Sequence, residues 1–140
     1  MPGKTWITGP DIELALENPS TQAAPQHLSG IIDTGASVIC LDSRVTSRLG
    51  LVASNRKRMQ MADGKEVMAT GYRARMRIPV LEFDDWVEVF AVDMDYPSTR
   101  VLLGRSFLKS YMVTYDGPRE LFEFHKAEPE SYLSPEEQYY

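Results

Sequence analysis

The sequence predicts an all-β fold, a barrel or a sandwich, and three observations carry that expectation. Apolar and polar residues alternate with period two in several short runs, the mark of half-buried strands. Turn-forming pairs such as Asp63-Gly64 and Asp116-Gly117 separate those runs. Helical patterning is confined to one or two short stretches, and no internal repeat is visible. A chain of 140 residues has the length for one modest hydrophobic core.

Taken in order, Asp11–Glu17 alternates strictly and reads as a strand facing a core on one side. Asn18 to Gln26 holds the breakers Pro19 and Pro25 and reads as a loop. Leu28 to Ile32 is a more buried strand that runs into Asp33, and Val38 to Leu41 is another. Asp42 or Ser43 then caps a short helix through Arg48, stopped by Gly50. Met59 to Val67 carries a hairpin signal, with Asp63-Gly64 suited to a type I′ turn. Tyr72 to Ile78 alternates again, and Gly71 marks a bulge or bend. Trp86 to Val92 is a strand, Val101 to Leu103 leads through Gly104 into a helix over Arg105 to Ser110, and Met112 to Tyr115 and Leu121 to Phe124 close the set. Residues 11–125 are expected to form the domain. Residues 1–10 read as a flexible lead-in, and 126–140 as a flexible acidic tail with Glu128, Glu130, Glu136 and Glu137.

Composition narrows the function classes. A net charge of −5 argues against a nucleic-acid partner, which selects basic surfaces. The compact basic run Arg56-Lys57-Arg58 is expected to be a solvated loop ahead of a strand. No apolar run reaches the length of a membrane span, and no signal-peptide core follows Met1-Pro2-Gly3-Lys4, so no membrane partner and a cytoplasmic address are expected. The single cysteine, Cys40, excludes an intrachain disulfide and a cysteine-based metal cluster; within Val38-Ile39-Cys40-Leu41 it reads as a buried structural thiol. His27 and His125 match no zinc spacing, and neither a metal nor a cofactor is expected.

The chemistry concentrates in Ile31-Ile32-Asp33-Thr34-Gly35-Ala36-Ser37. A carboxylate after two large apolar residues emerges from the core at the end of a strand. Thr34 adds a hydroxyl for local hydrogen bonds, and Gly35 permits a sharp turn with close backbone approach. An ordinary Asp-led turn is the bland alternative. A second element lies downstream: Val101-Leu102-Leu103-Gly104-Arg105 is an apolar run and glycine followed by a helix start, with a hairpin of suitable length between the two.

This combination resembles the retroviral-type, or retropepsin-like, aspartic peptidases, including their bacterial members, over Ile12 to Phe124. The resemblance implies a closed strand-rich barrel with one or two short helices. It implies that Asp33 is the catalytic carboxylate, that Thr34 interlocks with its counterpart across a dimer, and that Gly35 lines the substrate backbone, with Ala36 and Ser37 completing the loop. Leu102, Leu103, Gly104 and Arg105 would support that loop. Met61, Ala62, Asp63, Gly64 and Val67 would form a flap, and Met61, Val67, Met76 and Leu102 are candidate wall residues. Viral members often carry an acidic residue at the position of Ser37, paired with an arginine matching Arg105; here Asp42 or a residue of a second subunit is the expected partner of Arg105.

The reaction of such an enzyme needs two carboxylates around one water, and this chain has one Asp-Thr-Gly. A homodimer supplies the second, so the expectation is a homodimeric endopeptidase whose partners are a second copy of itself and a peptide or unfolded protein. Two other readings stay open: a non-catalytic peptide- or protein-binding module on the same fold, and a latent peptidase regulated by its terminal segments.

Overall fold

The computed structural model of the protein describes residues 4–61, 63–93 and 100–127. They form ten strands, two short α-helices and one 3-10 turn. In chain order these are β1 (Lys4–Thr8), β2 (Asp11–Glu17), β3 (Gln26–Ile32), β4 (Ile39–Asp42), α1 (Ser43–Leu49), β5 (Ala53–Gln60) and β6 (Glu66–Ile78). The 3-10 turn at Pro79–Leu81 follows, then β7 (Phe83–Val92), β8 (Arg100–Leu103), α2 (Arg105–Leu108), β9 (Tyr111–Asp116) and β10 (Leu121–Lys126). The all-β expectation holds.

The larger sheet runs β2-β3-β8-β4-β7-β6-β5, and β2 also pairs with β6. That last pairing, Leu16 opposite Met76, closes six strands into a barrel and leaves β5 as an outer strand. Closure pairs the edges of those six strands with one another, and an open edge of this sheet remains on β5. The alternation of β2 places Ile12, Leu14 and Leu16 inside and keeps Asp11 and Glu13 outside. Leu41, Ile78, Val89, Val101 and Leu103 fill the same interior. Met76, a candidate wall residue of the cleft from its sequence, is fully buried in this core instead. Period two assigns a side chain to a face of the strand, and for Met76 the apolar face turns inward because β6 pairs with β2 and β7 there.

A second sheet, β1-β10-β9, is built from the two ends of the described chain. The segment before Asp11, read above as a flexible lead-in, therefore contributes a strand at Lys4–Thr8, and β10 extends to Lys126. The sheet is tied to the barrel by a row of rings. Phe83 meets Phe107 at 5.2 Å between centroids, Phe107 meets Tyr111 at 5.4 Å, and Tyr111 meets Phe124 at 5.6 Å. The expected tail falls mainly on residues outside the described ones.

Two local expectations need correction. The β5–β6 turn is not type I′, which requires positive φ at two central residues. Gly64 alone has it, at 86°, while its N–H donates to the Met61 carbonyl and the Met61 N–H donates to that of Lys65. That is a three-residue loop ending in a left-handed glycine. Nor does Gly71 kink β6, which runs unbroken for 13 residues. The irregularity lies opposite, in β5 between Ala53 and Asn55. Gly71 is small because a Cβ there would come within 2.9 Å of the Phe90 ring and 2.5 Å of Asn55 Oδ1.

Helix α1 begins and ends as its sequence reads. Asp42 is its N-cap, accepting from the Arg44 N–H at 2.9 Å, and Gly50 closes it at φ 62°. The Arg44 guanidinium adds two bonds to the same carboxylate, at 2.7 and 2.8 Å. The long Asn18–Gln26 connection is anchored beside it, with the Asn18 amide donating to the carbonyls of Leu49 and Gly50. Because the Asp42 carboxylate is buried and caps the helix, Asp42→Ala is expected to cost about 1 kcal/mol or somewhat more, read as a lower urea midpoint at unchanged slope.

Candidate active site

Strand β8 lies between β3 and β4, parallel to the first and antiparallel to the second. The segment from Asp33 to Val38 must therefore carry the chain from β3 to β4 across the end of β8. Its start is fixed by the ladder: Ile31 and Ile32 pair with Leu102 and Leu103, and the Asp33 N–H donates to the Leu103 carbonyl at 3.1 Å. Its far side is fixed by α2. The first helical N–H groups, which have no partner inside the helix, donate to the loop: Arg105 N–H to the Ala36 carbonyl at 2.9 Å and Ser106 N–H to that of Ser37 at 3.0 Å.

Gly104 sits beneath this crossing. A Cβ there would lie 2.2 Å from the Val38 carbonyl oxygen and 2.7 Å from that of Ala36. Both are backbone atoms, so no rotamer relieves the clash. The supporting motif thus has a physical explanation: Leu103 anchors the barrel side, Gly104 leaves room for the loop, and Arg105 holds it. The Arg105 guanidinium donates to the Thr34 carbonyl at 2.7 Å. Asp42, one of its expected partners, is occupied by Arg44 and the α1 N-terminus.

Within the loop, Asp33 Oδ1 accepts the Gly35 N–H at 3.0 Å, which fixes the carboxyl's orientation. Gly35 is not at positive φ; its lack of a Cβ keeps space beside the carboxylate, since an added Cβ would stand 3.2 Å from Asp33 Oδ1. Asp33 is half-buried, whereas Thr34, Gly35 and Ser37 are exposed. The carboxylate thus opens on the surface and not into the barrel.

A cavity of about 600 Å³ lies beside it, bounded on one side by Asp33, Gly35, Ala36 and Ser37 and on the other by the residues from Lys57 to Met61. Its apolar base belongs to a second cluster, separate from the barrel core, of Val38, Cys40, Ala69, Phe90 and Val92, with Met59, Met61, Val67 and Leu102 packed against it. Of the proposed wall residues, Met61 and Leu102 line the cavity, and Val67 packs in the cluster behind it. Of the flap set, Asp63 and Gly64 form the exposed turn and do not line the cavity, and Ala62 lies outside the described residues. Cys40 also borders it. Burial pushes its thiol up to about 11, the Asp33 carboxylate adds to the shift, and Lys57 opposes it. The thiol stays protonated near neutral pH and is a poor nucleophile, as a structural cysteine should be.

Sequence reasoning missed Lys57, Arg58, Met59 and Gln60 as cavity residues. The run Arg56-Lys57-Arg58, expected as a solvated loop, is the middle of β5 and pairs with Met68, Ala69 and Thr70 of β6. The signal that could have found it is the alternation Lys57, Met59, Met61, which puts three flexible side chains on one face of the hairpin. Among the described residues, no group of His, Cys, Asp and Glu could hold a metal ion, and no helix is long and apolar enough to cross a membrane.

A closed six-stranded barrel whose Asp-Thr-Gly loop is seated over an apolar-apolar-Gly segment defines a retropepsin-like aspartic protease fold. The family described as "gag-polyprotein putative aspartyl protease" matches residues 22–110, more than half of the chain, and the chain belongs to that family. No curated protein matches it in sequence. Among solved structures it is similar to a retropepsin-like aspartic protease from Rickettsia conorii, at 19% identity over 89% of this chain and 91% of that one, with a TM-score of 0.56. It is also similar to an aspartic proteinase from Irpex lacteus, at 14% identity over 89% of this chain and 47% of that one, with a TM-score of 0.55. At these identities the likeness is one of fold.

Proposed function

We propose that the protein is a homodimeric aspartic endopeptidase in which two Asp33 carboxylates, one from each subunit, activate a single water. The observation that carries this reading is the Asp33 loop: a carboxylate held by the Gly35 N–H, locked between β3, β8 and α2, and open toward a peptide-sized cavity. A rigid setting of this kind is what a catalytic group needs. An interaction module has no comparable use for it.

The chemistry requires two such groups. The ionised carboxylate takes a proton from the water as general base, and the protonated one donates to the scissile carbonyl. Like charges held side by side repel, so a pair with one ionised and one protonated carboxyl is the form that suits this division of roles. The sequence holds one Asp-Thr-Gly, and a two-fold axis through the exposed face of the loop supplies the second. The alignment of most of this chain with 47% of the Irpex lacteus enzyme fits the reading of one chain as half of such a centre.

The test is cleavage of an unstructured protein across mildly acidic to neutral pH, at several enzyme concentrations. Specific activity is expected to fall on dilution as the dimer dissociates. Full activity in a proven monomer would overturn the shared centre.

A further inference from the structure

The charge around the Asp33 cavity differs from that of the rest of the molecule. The chain carries a net charge of −5, yet the cavity lining holds three cations, Lys57, Arg58 and Arg105, against the single carboxylate of Asp33. Arg105 is engaged with the Thr34 carbonyl. Lys57 and Arg58 make no ion pair among the described residues, although Arg44, Arg75, Arg77 and Arg119 each meet a carboxylate. Lys57 stands with its ammonium 5.9 Å from the centroid of the Phe90 ring, a member of the apolar cluster at the cavity base. Its stem therefore follows the cavity side of β5, as those of Met59 and Met61 do, and not the solvent side.

An unpaired ammonium at the rim of a half-enclosed apolar cleft favours a ligand anion there over a neutral group of the same shape. We infer that Lys57 makes the cleft select peptides carrying an acidic side chain near the bond held at Asp33. This rests on the peptidase reading above for the identity of the ligand, a peptide. In a two-fold dimer the same cation stands on both sides of the shared centre, so the preference falls on positions flanking the cleaved bond on either side.

The experiment uses Asp33→Asn protein with all 140 residues, which separates binding from cleavage. Fluorescence anisotropy reads the affinity of labelled apolar peptides in which one Glu or one Gln is moved stepwise along an otherwise constant sequence. At one or more positions the Glu peptide is expected to bind roughly fivefold more tightly than its Gln twin, the size of an exposed ion pair, with the ratio shrinking in high salt. Adding Lys57→Gln should bring the ratio close to one, and Lys57→Glu should invert it. Arg56→Gln removes the same charge from a residue that does not line the cavity, and the ratio should survive it. Equal affinities at every position, no binding of either peptide, or equal loss of the ratio in the Arg56 and Lys57 variants would each overturn the inference. Wild-type protein that cleaves none of the peptides, while the binding ratio stands, counts against the peptidase reading alone.

Discussion

Asp33→Asn is expected to lose at least about a thousandfold in peptide cleavage while keeping its fold. The magnitude follows from removing both roles of the carboxyl at once, since an amide neither accepts the water's proton nor gives one to the scissile carbonyl. The fold is expected to survive because Asn presents the same shape and can still accept the Gly35 N–H through its side-chain oxygen. Thermal midpoints of the two proteins should therefore agree closely, as for an isosteric change away from the core. Mixing sharpens the test. If each centre takes one carboxylate from each chain, an excess of Asp33→Asn protein captures wild-type chains in mixed pairs and suppresses their activity. Cleavage that persists in the pure variant belongs to another residue or another protein, and sinks the assignment.

Gly104→Ala is expected to be the most damaging of the conservative changes at the site, lowering stability by roughly 4 kcal/mol or preventing folding. The added Cβ would stand 2.2 Å from one backbone carbonyl and 2.7 Å from another, and the atoms it meets belong to a segment fixed at both ends. Relief requires the Ala36–Val38 backbone to lift away from β8. That movement breaks the bonds from Arg105 and Ser106 and carries Asp33 with it. Gly35→Ala offers the contrast, because its Cβ would meet only the Asp33 carboxylate oxygen at 3.2 Å. It is expected to disturb the carboxyl more than the fold. Urea titration of both variants, alongside cleavage assays, distinguishes a collapsed loop from a displaced carboxyl.

Why the sequence announced some of this and hid the rest is a matter of range. β2 could be read because one face meets the barrel core and the other meets water, which writes the period into the residues themselves. The Asp33 loop and the Leu102-Leu103-Gly104 segment could be read because each is a short local motif that resembles its counterpart in a known family, and at Gly104 the reason is steric, since the loop backbone leaves no room for a Cβ. What pairs across the length of the chain left no local trace. β1 is five residues whose partner, β10, lies over a hundred positions away, and nothing in Lys4-Thr5-Trp6-Ile7-Thr8 points to it. β5 was obscured for a different reason. As the outer strand of the barrel sheet it is exposed along most of its length, so its charges mimic a loop. The residues that give the cleft its charge were thus the ones the pattern concealed.

The pairing of β1 with β10 also sets an order of events during synthesis. Lys4 aligns with His125, and the ring row from Phe124 through Tyr111 to Phe107 reaches the helix whose first residue holds Thr34. Asp33 leaves the ribosome before β8 and α2, the two elements that seat its loop, which follow some seventy residues later. Over that interval a nascent chain carries the carboxylate without the scaffold that aims it. Such distant contacts fold slowly, so the loop that aims this carboxylate is among the last parts of the molecule to be set.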